Sequence, residues 1–397
     1  MKTLHVWPES PQASDEEVNL RAVFEGFDSG KKTIDIAVQR PALPRLPSRS
    51  DHFALAAVFP AMRSFDACVV HGEVSRPLLA NLSEFNAIWQ AWRPQTYRQV
   101  QWEADKVAGE PFVSEQRSGH LLAFSGGLDS TVSLRRHTLG NLGWRKLHIA
   151  GALMVHGFDI PVSDAEGFRR AREKAARITS TVGVPLISAR TNLRELPDDW
   201  EDAFAAKLAA ILHVFNETHE GAIFASGRTY AFPELPWGSN PVSDHLLGTC
   251  VFPVRTDGAE HTRLEKVKLV SEWEVAVNHI RVCWEGKVPG ENCGVCEKCV
   301  RTQLELAAFG VTPRGNFKAR LRPGMVAGIR LRNEAQLSDF SEILAYADRN
   351  HISAWWTEEL RKVVRRGCGS SIRFRALRQS RPWRLLRQLM KPGARSR

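Results

Sequence analysis

The stretch GHLLAFSGGLDSTVSLRRHT, residues 119–138, decides the fold. Its first part, HLLAF, is a short apolar run, and DSTVSLRRHTL after the glycines carries the helical period. The chain therefore turns from a buried strand into a helix within a few residues. Gly126 and Gly127 let the backbone adopt conformations closed to other residues and approach a ligand closely. The N–H groups of such a loop, with the N-terminus of the next helix, form a cradle for an anion. Ser125 and Ser130 add hydroxyl donors. Asp129 faces a phosphate only across a cation, which suggests Mg²⁺. No Lys follows the glycines, so the Walker-type loop is absent. The competing reading is an ordinary glycine-rich turn capped by Asp or Ser.

The same alternation continues outward from this loop. HIAGALMVHGFD, VPLISARTN and GAIFASG read as strands. DAEGFRRAREKAARITSTVG and EDAFAAKLAAILHVFNETHE read as helices between them. Strands spaced by helices of this length predict an α/β domain with a parallel sheet covered on both faces. Ligands in such sheets bind outside the C-terminal strand ends. That directs attention to Val155, His156 and Gly157 after the second strand, and to Ser226, Gly227 and Arg228 after the fourth. Backbone near Val155 and Gly157 is therefore a candidate for a functional contact. His156 is either a base or a turn histidine, and Arg228 binds phosphate or carboxylate or makes a surface ion pair. Asn192 and Arg194 follow the third strand as weaker candidates. In the long loop PELPWGSNPVSD, Asp244 is read as a group orienting an amine or Mg²⁺, or as part of a turn.

Four of the seven cysteines cluster as Cys283-x9-Cys293-x2-Cys296-x2-Cys299. Four soft ligands at short spacing predict a closed, structural zinc site. A redox pair or an iron–sulfur cluster is the alternative.

SGGLDS resembles the phosphate loop of the PP-loop, or N-type ATP pyrophosphatase, superfamily. The segment TRLEKVKL…VCWEGKVPGENCGVCEKCVRT…FG is similar to the C-terminal part of the 7-cyano-7-deazaguanine synthase family. Together the two regions span about residues 118–310. The resemblance implies a PP-loop domain over 116–315 with a four-cysteine zinc knuckle at Cys283, Cys293, Cys296 and Cys299. It also implies ATP held with Mg²⁺ over Ser125, Gly126, Gly127, Leu128, Asp129 and Ser130, and cleavage to AMP and pyrophosphate. Asp129 and Ser130 are then the catalytic candidates. Val155, Gly157, Gly227, Arg228 and Lys266 join the loop as nucleotide-binding candidates, with Arg263 beside Lys266. Lys266 is otherwise solvated helix surface. The family's D-x-x-YPDCR loop is missing, and PWGSNPVSD stands in its place. The expected reaction is therefore stated generally, as adenylation of a carboxylate or amide oxygen followed by attack of an amine or ammonia. A tRNA-modifying enzyme, with Cys250 as the loose thiol, and a non-catalytic nucleotide sensor are the alternatives.

The flanks complete the expectation. Residues 1–115 read as an N-terminal α+β domain, with strands at TLHVWP, KTIDIAV, DACVVHG and RQVQWEAD. Its helices lie at HFALAAVFPAMRSF and LLANLSEFNAIWQAW, the second stopping near Arg93-Pro94. Residues 316–366 read as a helical extension and 367–397 as a basic tail. The chain of 397 residues is 43% hydrophobic and 25% charged, which excludes a disordered or collagen-like chain. No run approaches the ~18–20 apolar residues of a membrane span, and no signal peptide is visible, so the cytoplasm is the expected address. The formal charge is +10, yet Arg361–Arg397 holds 13 basic residues and no acidic one. That tail either meets an anionic partner, RNA or membrane, or solubilises the chain or docks a protein.

Overall fold

The computed structural model describes residues 1–109, 117–233 and 235–369. Of the basic tail expected over 367–397, residues 370–397 lie outside the described residues. The chain divides into two units, Met1–Glu260 and His261–Arg397.

The first unit begins with β1 (Thr3–Pro8), β2 (Gln12–Ala13), β3 (Glu17–Glu25) and β4 (Lys32–Gln39). It continues with α1 (Asp51–Ser64), β5 (Ala67–Ser75), α2 (Arg76–Trp92) and β6 (Gln101–Ala108). Next come β7 (Ser118–Ala123), α3 (Leu128–Thr138), β8 (Ile149–His156), α4 (Ala165–Ser180), β9 (Leu186–Thr191), α5 (Trp200–His213), β10 (His219–Ala225) and β11 (Val254–Asp257). Among the described residues, the strands join one sheet in the order β11-β10-β7-β8-β9-β4-β3-β1-β5-β6, with β2 pairing β3. From β11 to β9 every pairing is parallel, as the alternation predicts. The segment set apart by sequence as 1–115 adds its strands to the same sheet. Its strand β4 pairs antiparallel with β9, matching Ile36 to Thr191 and Val38 to Ala189.

Burial explains the elements. In β3 the alternate residues Val18, Leu20, Ala22 and Phe24 are buried, so one face meets the core. Helix α1 is apolar all round and is buried from Asp51 to Met62, as an interior helix must be. It packs against α5. Helix α2 buries Leu78, Leu82, Phe85 and Trp89 on one stripe and ends before Pro94, whose ring disfavours a helical residue ahead of it. Helix α4 starts where the Asp164 carboxylate accepts from the Gly167 N–H at 2.8 Å.

The second unit holds α6 (Arg263–Ser271), α7 (Glu274–His279), α8 (Glu297–Ala308), α9 (Glu334–Arg349) and α10 (Trp355–Gly369). Leu264, Leu304, Phe340, Ile343 and Leu360 form its apolar centre. A capping box at Thr262 and Glu265 starts α6. Among the described residues, no helix is long and apolar enough to cross a membrane.

The seam between β4 and β9 is reinforced by one side chain. Asn192 accepts from the Asp35 N–H at 2.9 Å and donates to the Thr33 carbonyl at 2.9 Å. Thr191 Oγ1 adds a 2.6 Å bond to the Asp35 carbonyl. Replacing Asn192 by Ala removes two of these bonds, and a loss of about 1–2 kcal/mol in urea unfolding of the purified protein is expected.

Candidate functional site

The chain leaves β7 through α3 to β8 and through α4 to β9. From there α5 carries it back past both strands to β10, on the other side of β7. The connections thus diverge between β7 and β10, which opens a crevice at their C-terminal ends. The SGGLDS loop follows β7 and Ser226-Gly227-Arg228 follows β10, so these two sequence candidates face each other across it. A Cβ added at Gly227 would lie 4.0 Å from the Asp129 carboxylate.

Within the loop, Gly126 has φ +70, in the left-handed region that favours glycine. Gly127 forms the N-cap of α3, and its N–H donates to Ser125 Oγ at 3.2 Å. Ser130 Oγ donates to the Gly127 carbonyl at 3.3 Å and lies 3.5 Å from Ser125 Oγ. Leu128 is buried and anchors the first turn, while Asp129 is half-buried beside it. On the facing arm, Ser226 Oγ donates to the Arg228 carbonyl at 2.8 Å, and the Ser226 N–H donates to the Asp257 carbonyl at 2.8 Å. The Arg228 guanidinium lies 5.9 Å from the centre of the Trp237 ring.

Asp257, at the end of β11, ties the two arms together and was not anticipated from sequence. Its carboxylate accepts from Ser133 at 2.7 Å and from Arg136 at 3.2 Å, both on α3. Burial alone would raise its pKa, but His137, Ser133 and the Arg136 charge outweigh burial and hold it at about 2. The helix that presents the loop is therefore pinned by a permanent charge.

At the end of β8, Gly157 has φ +109, and a Cβ there would come within 1.9 Å of the Thr191 carbonyl. Only glycine fits. Val155 is half-buried just before it. His156 is buried, with Nε2 2.8 Å from the Pro161 carbonyl and its ring stacked on Phe168 at 4.4 Å. These contacts are those of a turn histidine rather than a free base. Beyond Gly157 lies a cleft of about 720 Å³ whose walls include Asn19, Arg21, Asp35, Phe158 and Arg194. Arg21 Nε donates to Asp35 at 2.7 Å. Arg194 donates to the Phe158 carbonyl at 3.0 Å and stacks over Trp200 at 4.4 Å. The cleft was not legible in the sequence because β3 and β4 supply one wall.

Asp244 is fully buried and receives the Asn240 N–H at 2.9 Å, Ser239 Oγ at 2.8 Å and Thr256 Oγ1 at 3.0 Å. Its carboxylate is spent on organising the long loop, so the expected role toward an amine or Mg²⁺ is replaced by the turn reading. Burial raises its pKa to about 7. Cys250 is exposed.

In the second unit, Lys266 on α6 is 2% exposed, which corrects its reading as solvated surface. Arg263 pairs with buried Glu305 at 3.0 Å and donates to Thr302 at 2.8 Å. The four cysteines expected as ligands come together, with all sulfurs within 4.8 Å of one another. Cys283 and Cys293 are 3.5 Å apart, Cys283 and Cys296 3.8 Å, and Cys293 and Cys299 3.9 Å. A disulfide would need about 2.05 Å. Thiolates bound at about 2.3 Å to a tetrahedral ion stand about 3.8 Å apart. The cluster can therefore hold a metal such as zinc. Asn292 braces it, receiving the Val282 and Cys283 N–H groups at 2.9 and 3.1 Å and donating to the Ile280 carbonyl at 2.8 Å. Gly294 has φ +82, and a Cβ there would lie 2.1 Å from the Ala319 carbonyl.

No family model, curated protein or solved structure matches this chain.

Two outcomes follow from this geometry. The protein should carry about one zinc per chain by elemental analysis, and Cys299→Ser should lower that content and destabilise the second unit, because metal affinity of this kind is folding energy. Asp244 has a native pKa above its unfolded value, so its stabilising contribution is fully present below pH ~4 and is lost as pH rises toward about 7. In Asp244→Asn, unfolding free energy measured against pH should be flatter across that window than in the parent.

Proposed function

We propose that the chain is an AMP-forming ATP pyrophosphatase of the PP-loop class, using ATP to activate an acceptor oxygen for attack by a nitrogen nucleophile. One observation carries this reading. The Ser125–Ser130 loop opens α3 at the switch point of a parallel sheet, with Asp129 facing Gly227 across the crevice. The β,γ-phosphates of ATP are assigned to the loop N–H groups and the Ser125 and Ser130 hydroxyls, at the positive end of the α3 dipole. Mg²⁺, held by Asp129, would neutralise charge on the departing pyrophosphate. Backbone at Val155 and Gly157 is assigned to the adenine and ribose, and Gly227 and Arg228 to the phosphates from the other side.

The chemistry asks for positioning and charge stabilisation rather than a side-chain nucleophile. An acceptor carboxylate oxygen attacks the α-phosphorus and the bond to the β-phosphate oxygen breaks. An acyl-adenylate and pyrophosphate result. An amine or ammonia then adds to the acyl carbon, loses a proton and expels AMP. The cleft beside Gly157, with the Arg21 and Arg194 guanidinium groups in its wall, suits an anionic acceptor. Four thiolates leave no open coordination position, so the metal in the second unit is read as structural. The class of acceptor is open between a carboxylate and an amide oxygen.

Incubation with labelled ATP, Mg²⁺, ammonium and a metabolite extract should yield AMP and pyrophosphate. Asp129→Ala should lower that yield at least ~100-fold, the scale seen when a group stabilising transition-state charge is removed, with zinc content and circular dichroism unchanged. AMP formation retained in this variant, or ADP as the product, would overturn the reading. Tight ATP binding without turnover would favour a sensor.

A further inference from the structure

We propose that the cysteine knuckle of the second unit is a docking surface for single-stranded nucleic acid, built from an exposed tryptophan and a basic arm laced to the knuckle. The inference is independent of the ATP reading, because every residue it uses lies in His261–Arg397.

Ahead of the basic tail, residues 261–360 of the second unit contain 14 Lys and Arg against 13 Asp and Glu, so the body of the unit is nearly balanced. What points to a polyanion there is the local placing of its basic residues. Within that unit, Val311–Arg332 holds six basic residues and no acidic one.

This basic stretch is fixed against the knuckle rather than left as a loose loop. Phe317 bridges to Asn292, the Lys318 N–H donates to the Asn292 carbonyl at 2.9 Å, and the Ala319 N–H donates to the Cys293 carbonyl at 3.2 Å. The Leu321 N–H donates to Gln303 at 2.9 Å, and Gln303 in turn holds the Gly294 carbonyl at 3.1 Å. Both ends of the arm also reach the knuckle by charge. Lys318 pairs with Glu291 at 2.5 Å and Arg332 with Glu285 at 3.4 Å. Between these two pairs, Arg320, Arg322 and Arg330 are exposed and have no carboxylate partner among the described residues.

An aromatic platform stands beside the arm. Trp284 directly follows Cys283 and is 68% exposed, an unusual state for the largest apolar side chain. Its neighbour Glu285 is the partner of Arg332. Lys298, on the segment joining Cys296 to Cys299, places its ammonium 3.8 Å from the ring centre of Trp284. The cation orients the ring and adds positive charge beside it. Exposed aromatic and unpaired arginines on one rigid knuckle are the two parts of a single-strand site. Bases stack on the ring, and phosphates meet the guanidinium groups.

The test uses the full-length, zinc-loaded chain and a fluorescein-labelled 20-nucleotide uridine oligomer, with binding read by anisotropy over a salt series. Trp284→Ala should weaken binding about fivefold or more, the scale of one lost base stack, and Trp284→Phe should restore most of it. Arg320→Ala with Arg322→Ala should make the slope of log K against log salt shallower by about 1.4, the value for two lost phosphate contacts on a single strand. Zinc content should be unchanged in each variant. Affinity and slope unaltered by these substitutions would overturn the proposal. So would binding abolished by removing residues 370–397 yet indifferent to Trp284, which would place the site in the tail. Tighter, Trp284-dependent binding to phosphatidylserine vesicles than to the oligomer would replace nucleic acid by a membrane surface.

Discussion

The antiparallel pairing of β4 with β9 is the constraint on which the first unit rests. Without it, β9 would end the parallel sheet as an exposed edge, with a row of unpaired N–H and C=O groups. Strand β4 covers that edge, and the side chains of Asn192 and Thr191 extend the pairing one step past the last ladder residue. The two sets of strands become one sheet, and α1 and α5 share a single apolar core beneath it. The pairing also has a consequence at the ligand side. It brings Asn19, Arg21 and Asp35 to the C-terminal ends of β8 and β9, where a plain parallel sheet would present only its own loops.

Rigidity at the crevice comes from different forces on its several sides. The α3 side is held electrostatically, with Asp257 kept ionised between Ser133 and Arg136 in a buried setting. The β8 side is held sterically, since the Gly157 backbone presses so close to the Thr191 carbonyl that no side chain fits. The long loop after β10 is held by hydrogen bonds converging on Asp244, whose three donors replace the water it lost on burial.

The strands and helices that carry a strong period were legible in sequence, from β7 through β10 and at α1, α2 and α4. The Ser125–Ser130 stretch also lies at the strand-to-helix turn expected of it. Strand β3 was not among the expected strands, although Val18, Leu20, Ala22 and Phe24 alternate without a break; charged residues before and within it mask the pattern. Strand β11 has only Val254–Asp257, too short for periodicity to register. The joining of the flank to the sheet was hidden because register between β4 and β9 is a long-range choice, set by the core rather than by either segment alone. Asp257 and the cleft were missed for the same reason, since each depends on elements more than a hundred residues apart. Lys266 was a nucleotide-binding candidate with solvated helix surface as its alternative, and its burial beside Leu264 and Val267 removes the alternative.

The cysteine cluster shows how a local spacing and a tertiary requirement agree. Cys293, Cys296 and Cys299 are close in sequence, but three thiols make an incomplete tetrahedron. The fourth, Cys283, must be brought from ten residues upstream. Asn292 does this by receiving two consecutive backbone N–H groups at Val282 and Cys283 while its amide reaches the Ile280 carbonyl. The turn at Gly294 then has to pass within contact of Ala319, which commits residues 317–321 to lie along the knuckle. Arg320 on that segment, with Arg322 just beyond it, is thereby held at the surface in a fixed place instead of being spread by solvent and mutual repulsion. Like charges held together cost free energy unless something negative approaches. A polyanion supplies that charge while the exposed Trp284 ring offers its bases an apolar face, so the metal-binding cluster and the basic arm belong to one device.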